Sequence, residues 1–323
     1  MFKAFKPTLA ASIIATTLSF GAIASDLEKI HFLIPGGAGG GWDMTARGTG
    51  DALVKSDIVD KVSFQNLSGG GGGKAIAHLI ETASRQPDTL MVNSTPIVVR
   101  SLTGVFPQSF RDLTPVAATI ADYGAIVTSV DSKYQTWQDV VDEFEKNPRN
   151  VKVSGGSARG SMDHLVVAAA FKGEGFDAKK VRYIAYDAGG KAMASLLSGE
   201  TQLLSTGLGE VLEMSKSGQV RVLAVTAPKR LPAAPNIPTL VETGNETVFA
   251  NWRGFFAAPG TSQAKIDEYN EALSKMYKTE QWAVVRDRNG WIDNYKPDQA
   301  FFSFLEDQEK QMGSLMRELG FLK

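Results

Sequence analysis

The sequence predicts an α/β protein made of repeated strand–loop–helix units, and three stretches carry that prediction. Ile30–Ile34 is a short apolar run that passes through Pro35 into Gly36-Gly37-Ala38-Gly39-Gly40-Gly41, and a helical pattern runs from there to about Lys55. Lys61–Asn66 repeats the plan, with Leu67-Ser68 and the five glycines Gly69–Gly73 ahead of Lys74–Ile80. Val151–Ser154 does so again, through Gly155-Gly156-Ser157-Ala158-Arg159-Gly160-Ser161 into Met162–Phe171. Strand, glycine loop and helix N-terminus together bring bare backbone N–H groups up to an anion.

Composition sets the frame for these units. A chain of 323 residues is long enough for two domains of ordinary size, and 43% apolar with 21% charged residues is a globular balance. The net charge of -1 provides no basic excess for nucleic acid. No cysteine occurs, which excludes disulfides, thiolate metal sites, a cysteine nucleophile and a lipid-attached cysteine. At the start, Lys3 and Lys6 precede an apolar, small-residue run from Thr8 to Ile23, and Ala22-Ile23-Ala24 forms an A-x-A site before Ser25. Residues 1–24 are therefore expected to be a cleaved secretory signal rather than a membrane anchor, and the mature chain to be periplasmic. Its loss takes the net charge from -1 to -3.

The remaining elements follow in order. Thr89–Asn93 is a third strand that ends in Ser94-Thr95-Pro96, so three loops lie on one edge of what should be a parallel sheet, the edge at which open α/β sheets bind ligands. Leu113–Ile120 and Ala125–Thr128 are expected as two strands around Asp122-Tyr123-Gly124, where the chain crosses into a second domain. Thr136, with Asp139 three residues on, opens a helix through Phe144 in a relative of the capping box. Val181–Tyr186 leads through Asp187-Ala188-Gly189-Gly190 to a helix at Lys191–Ser198 that Gly199 stops. Thr201–Ser205 precedes a helix near Glu210, and Arg221–Thr226 closes the second sheet. The proline-rich Pro228–Pro238 is a connector, Asn251–Pro259 a strand returning to the first domain, and helices at about 262–278 and 297–319 finish the chain. The last carries Phe301, Phe304, Leu305, Met312, Leu315 and Met316 in an amphipathic pattern.

Within this plan the first loop, Gly36, Gly37, Gly40, Gly41 and Trp42, has more glycine than a tight turn needs, which points to close backbone approach by a ligand. Asp43 is read either as the N-cap of the helix or as a contact made through a water or ligand hydroxyl, since a carboxylate repels an anion. Ser68 and Gly69 belong to the second loop. Ser94 and Thr95 offer hydroxyls at the sheet edge or cap the turn. Ser157, Arg159, Gly160 and Ser161 form the candidate anion site of the second domain, because a guanidinium can grip two carboxylate oxygens at once. Arg47 and Arg253 either add positive potential or pair with carboxylates. His31, His78 and His164 show no metal-ligand spacing, so neither metal nor cofactor is expected.

These motifs, with Tyr186…Gly189-Gly190, Leu223-Ala224-Val225-Thr226, Pro238-Thr239-Leu240 and Trp252–Thr261, occur in an order over nearly the whole mature chain that resembles the substrate-binding proteins of tripartite tricarboxylate transporters, the Bug/TctC family. The resemblance implies a type II periplasmic-binding-protein fold, with residues 25–124 plus 249–323 in one lobe, 125–248 in the other and a ligand cleft between them. It implies a small carboxylate ligand, with citrate-like tricarboxylates or dicarboxylates first, and delivery by a monomer to the membrane permease subunits. It adds Tyr123, Tyr186 and Glu210 as contact candidates.

Rival functions fit less well. Ser68 and Ala75 break the P-loop pattern around Gly73-Lys74, and the first loop has no G-x-G-x-x-G frame. Gly155–Arg159 fails the nucleophile elbow at Arg159, which leaves a serine hydrolase remote. A receptor that presents its ligand to a sensor kinase would need the same closed cleft and is not separated from a transport receptor by these residues.

Overall fold

The computed structural model describes residues 27–323, and the expected signal sequence lies outside them. The first half opens with β1 (Leu27–Ile34), α1 (Gly41–Lys55), β2 (Val59–Asn66), α2 (Gly73–Glu81), β3 (Thr89–Ser94) and α3 (Thr95–Leu102). A long strand follows, β4 (Thr114–Ser129), and then α4 (Trp137–Lys146), β5 (Lys152–Gly155), α5 (Met162–Gly173), β6 (Arg182–Ala185), α6 (Gly189–Leu197), β7 (Leu203–Gly207), α7 (Leu212–Lys216) and β8 (Val220–Val225). The chain returns through β9 (Ala250–Ala257), α8 (Gln263–Met276), α9 (Glu280–Arg288), β10 (Ile292–Pro297) and α10 (Asp298–Glu318).

The expected break at Asp122–Gly124 is absent, and β4 runs through it as one strand. Its first part pairs antiparallel with β9 and β10, and its second part, from Gly124, pairs antiparallel with β7 and β8. Parallel pairing holds for β2, β1 and β3 on one side and for β6, β5 and β7 on the other. The sheet is therefore mixed rather than wholly parallel. β4 stays continuous because its middle is buried on both faces, so unbroken pairing satisfies backbone groups that water cannot reach. The second crossing lies beside it: buried Thr226 accepts from the Gly124 N–H (2.8 Å) and donates to the Phe249 carbonyl (2.6 Å).

Helices cover both faces. Phe32, Phe255, Tyr269 and Trp282 centre the core between the first strands and α1, α8 and α9. On the other face Trp252, Phe256, Phe301 and Met316 pack with α2, α3 and α10, and this core continues into Leu165 and Val166 of α5. The amphipathic face read for the last helix is the buried one, with Phe301, Leu305, Met312 and Met316 inside. The Thr136–Asp139 capping box and the positive φ of Gly199 just past α6 are as expected.

Three elements depart from the sequence reading. Thr95–Leu102 is a helix, because Pro96 in its first turn and burial against α10 outweigh its β-branched residues. Glu280–Arg288 is a helix anchored by a single fully buried residue, Trp282. Ile292–Pro297 is an edge strand whose polar sequence carries no alternation and which exists through pairing with β4.

Candidate functional site

Five helices start around one cavity of about 250 Å³, lined by Gly40 and Gly41 at the start of α1, Gly72 ahead of α2, Ser94 and Pro96 at α3, Ser161 and Met162 at α5, and Ala188 and Gly189 at α6. A helix N-terminus carries about half a positive charge, although some first-turn N–H groups here are already bonded, Thr95 to Asn251 Oδ1 and Asp163 to Ser157 Oγ. α1, α2 and α3 precede β4 in the chain and α5 and α6 follow it, so the lining is drawn from both sides of that strand.

The loops that deliver these helices are held by named bonds. The Trp42 indole N–H donates to Ser94 Oγ at 2.9 Å, which takes the Ser94 side chain away from the capping role open to it in the sequence. Gly69 to Gly72 all have positive φ, so a run of ordinary side chains could not follow this path. Across the cavity Ser157 and Asp163 bond reciprocally: the Ser157 N–H donates to Asp163 Oδ2 and the Asp163 N–H to Ser157 Oγ, each at 2.9 Å. The two sides touch at several points. Ser68 Oγ donates to Asp187 Oδ1 at 3.0 Å, and Arg100 Nη1 donates to the Arg159 carbonyl at 3.2 Å. A β-carbon on Gly37 would lie 2.8 Å from that of Ala188, so only glycine allows the two loops to come this close.

The floor is charged. Arg253, 2% exposed in the middle of β9, donates to Asp122 Oδ2 (3.2 Å) and to Thr45 Oγ1 (3.3 Å) and stands 3.6 Å from Glu210 Oε1. Burial raises the Asp122 carboxyl above the usual range, with Arg253 pulling the other way. Burial likewise raises Asp163 to about 6, against the hydrogen bonds from Ser157. Glu210 rises to about 7 through burial, opposed by Arg253 and reinforced by Asp163 and Asp122. Among the described residues the lining holds no lysine, Arg253 is its one cation, and Asp163, Asp187 and Glu210 are its acids.

Of the residues singled out in the sequence, Gly36, Gly37, Gly40, Gly41, Trp42, Ser68, Gly69, Ser94, Ser157, Ser161, Tyr186 and Glu210 line this cavity. Asp43, Thr95, Tyr123, Arg159 and Gly160 do not. Asp43 is not the N-cap either: Gly40 is, and Asp43, in the third helical position, turns its carboxylate back to the Gly39 N–H (3.0 Å), Arg47 Nε (2.9 Å) and Asn66 Nδ2 (3.0 Å). Thr95 is buried and its N–H donates to Asn251 Oδ1 at 3.3 Å. Tyr123 packs with the core beneath β4 and β8, where burial raises its hydroxyl pKa. Arg159 extends along its own half and donates to the Tyr183 carbonyl at 3.0 Å, while the Gly160 N–H donates to His164 Nδ1 at 3.0 Å. Ser161 occupies the N-cap of α5 but makes no side-chain cap bond.

The lining residues that sequence reasoning passed over include Asp163 and Asn251, and Arg253 was left undecided. Arg253 had a signal: a lone charged residue inside the apolar run Trp252–Pro259 must find a buried partner. Arg47, the other undecided arginine, pairs with Asp43 and sits over the Phe64 ring at 4.9 Å. Two of the histidines have packing or hydrogen-bond partners. His31 lies 2.8 Å from Ser63 Oγ, and His164 stacks on Tyr183 and is held at about 4 by burial and the Arg159 charge. The hydrogen-bond partners of Ser157 Oγ are the Asp163 N–H and the Tyr183 hydroxyl, an arrangement without the base a serine nucleophile needs. Among the described residues no helix is long and apolar enough to cross a membrane.

Known proteins share this architecture. The periplasmic binding protein BugD superposes with a TM-score of 0.82 at 20% identity over 92% of this chain and 99% of that one. R. palustris Rpa4515 with adipate superposes with 0.81 at 20% identity over 91% and 97%. At these identities the likeness establishes a mixed α/β periplasmic-binding-protein fold. By sequence, protein BugT of Bordetella pertussis is 28% identical over 304 residues, 91% of this chain and 90% of BugT. Residues 47–321 match the model of the tripartite tricarboxylate transporter family receptor, and the chain belongs to that family of periplasmic solute-binding receptors, not to an enzyme family.

Proposed function

We propose that this protein captures a small carboxylate in the cavity between its halves and hands it to the membrane permease subunits of a tripartite tricarboxylate transporter. The convergence of five helix N-termini from both halves on one cavity carries the reading. Backbone N–H groups of the Gly36–Gly41 and Gly155–Ser161 loops hold the ligand's carboxylates from opposite sides, Ser94 and Ser157 supply hydroxyls at the wall, and Tyr186 adds its ring, its hydroxyl being bonded to Ser195 Oγ at 2.8 Å. Residues 25–124 with 249–323 act as one lobe and 125–248 as the other, hinged where β4 passes Gly124 and where Thr226 is tied to Phe249. A ligand that touches both loops binds the closed arrangement better than the open one and shifts the population towards it.

A cavity of about 250 Å³ suits a dicarboxylate or citrate-like acid better than a larger solute. The test is a thermal-shift screen of the mature chain over di- and tricarboxylates, amino acids and aromatic acids, since binding to the native state raises the melting temperature. A rise with di- or tricarboxylates, with compaction in small-angle scattering at saturation, is expected. A rise confined to monocarboxylates, or none with any acid, would remove the proposal.

A further inference from the structure

We propose that Glu210 takes up a proton when an anionic ligand enters the cleft, so that the receptor captures its carboxylate together with one proton. This rests on the carboxylate reading above and adds the coupling to it.

The argument starts from where the side chain lies. Glu210 ends the 3-10 turn Leu208–Glu210 after β7, and its carboxylate reaches the first residues of two helices from opposite halves. A β-carbon on Gly41 of α1 would stand 2.9 Å from Oε1, and one on Gly189 of α6 would stand 2.6 Å from Oε2. The Glu210 carboxylate thus occupies part of the helix-terminus cradle that the ligand's own carboxylate would use.

Charge then sets the problem. The groups facing Glu210 are Arg253 from β9, Asp122 from β4, Asp163 from α5, the Thr206 hydroxyl from β7 and the N-termini of α1 and α6. Asp187 lines the same cavity. Arg253 is the one full cation, and its shorter bond goes to Asp122 (3.2 Å) rather than to Glu210 (3.6 Å). With Asp122, Asp163 and Glu210 all ionised, the cluster already holds more negative than positive charge, and a dicarboxylate adds two more in a site where water screens poorly. Glu210 has the looser ion pair and touches the cavity, whereas Asp122 is fully buried behind Arg253 and Asp163 is tied into the Ser157 loop. Its carboxyl, raised to about 7, is poised to accept a proton near neutral pH.

The sign follows by linkage. Ligand favours protonated Glu210, so affinity is flat at low pH and weakens above about 7 by up to about tenfold per pH unit. The ligand's carboxylates act on the Glu210 proton only through charge, and no covalent step is involved.

The experiment is titration calorimetry of the mature protein with adipate and with malate at about pH 8, where both acids are fully ionised. Buffers of different ionisation enthalpy give the number of protons taken up. Uptake approaching one proton per ligand is expected, falling to near zero in Glu210→Gln. Binding without proton uptake overturns the proposal and leaves the carboxylate reading standing; no binding of these acids or of citrate removes both. Uptake that persists in Glu210→Gln assigns the proton elsewhere and also overturns it. Where Glu210→Gln does not fold, the same proton count on Glu210→Ala decides the matter, and persisting uptake there overturns the proposal.

Discussion

Asp43 and Asp163 brace two loops that face each other across the cavity, and they do so in nearly the same way. Each sits in the first turn of the helix after a glycine loop and accepts a backbone N–H from that loop, Gly39 at 3.0 Å in one case and Ser157 at 2.9 Å in the other. They differ in charge. Asp43 points out of the cavity and is met by the Arg47 guanidinium at 2.9 Å, whereas Asp163 lines the cavity without an ion-pair partner of its own and is raised to about 6. The first jaw is neutralised locally and offers a ligand backbone dipoles alone. The second jaw and the floor keep carboxylates that, among the described residues, share one nearby cation, Arg253. A loop can therefore be shaped for an anion by a carboxylate, provided the charge is turned away, paired or protonated.

The largest way to break this contrast is Arg253→Ala, which strips the shared cation and leaves Asp122 and Glu210 buried without it. Denaturant unfolding should show a loss of about 3–5 kcal/mol. Asp43→Ala comes next: it removes an ion pair and the acceptor of the Gly39 and Asn66 bonds, and should cost about 2–3 kcal/mol with weaker ligand binding. Asp163→Asn keeps an acceptor for the Ser157 N–H and sharpens the contrast through pH. Because the folded-state pKa of Asp163 is raised above its unfolded value, its burial stabilises nothing and costs increasingly as pH rises from about 4 to about 6. Wild-type stability measured against Asp163→Asn should fall by on the order of 1–3 kcal/mol across that window and then level off. Trp42→Phe, which loses the indole bond to Ser94, should cost about 0.5–1.5 kcal/mol. Smallest is Arg159→Ala: with its guanidinium on the Tyr183 carbonyl, ligand affinity should change by less than about twofold.

Much of the first jaw was legible in the sequence because its chemistry is backbone chemistry. Glycine runs between an apolar strand and a helix announce a close approach whatever the partner is, so Gly36, Gly37, Gly40 and Gly41 could be placed at the cavity from Ile30–Trp42 alone. The second jaw and floor depend on tertiary pairing that local spacing does not carry. Arg159 looked like the anion ligand because it lies in the right loop, yet its side chain turns along its own half, and the arginine at the cavity comes from a strand nearly a hundred residues later. Asp163 was hidden inside an apolar helical pattern. The same limit explains α9 and β10: both form by packing or pairing with distant elements, Trp282 in the core and Ile292–Pro297 on β4, and neither has a strong period of its own.

The central claim is that a small carboxylate is held between the Gly36–Gly41 and Gly155–Ser161 loops. Titration calorimetry with adipate, malate and citrate on the mature protein and on Gly156→Ala tests it most directly, because a β-carbon at residue 156 would stand 2.5 Å from the Gly189 backbone nitrogen and would push the second jaw out of place. The account predicts saturable one-to-one binding of at least one of these acids by the wild type and a loss of at least about tenfold in affinity in the variant, with its fold retained. Equal affinity in the two proteins, or no binding of any of the three acids, would contradict it.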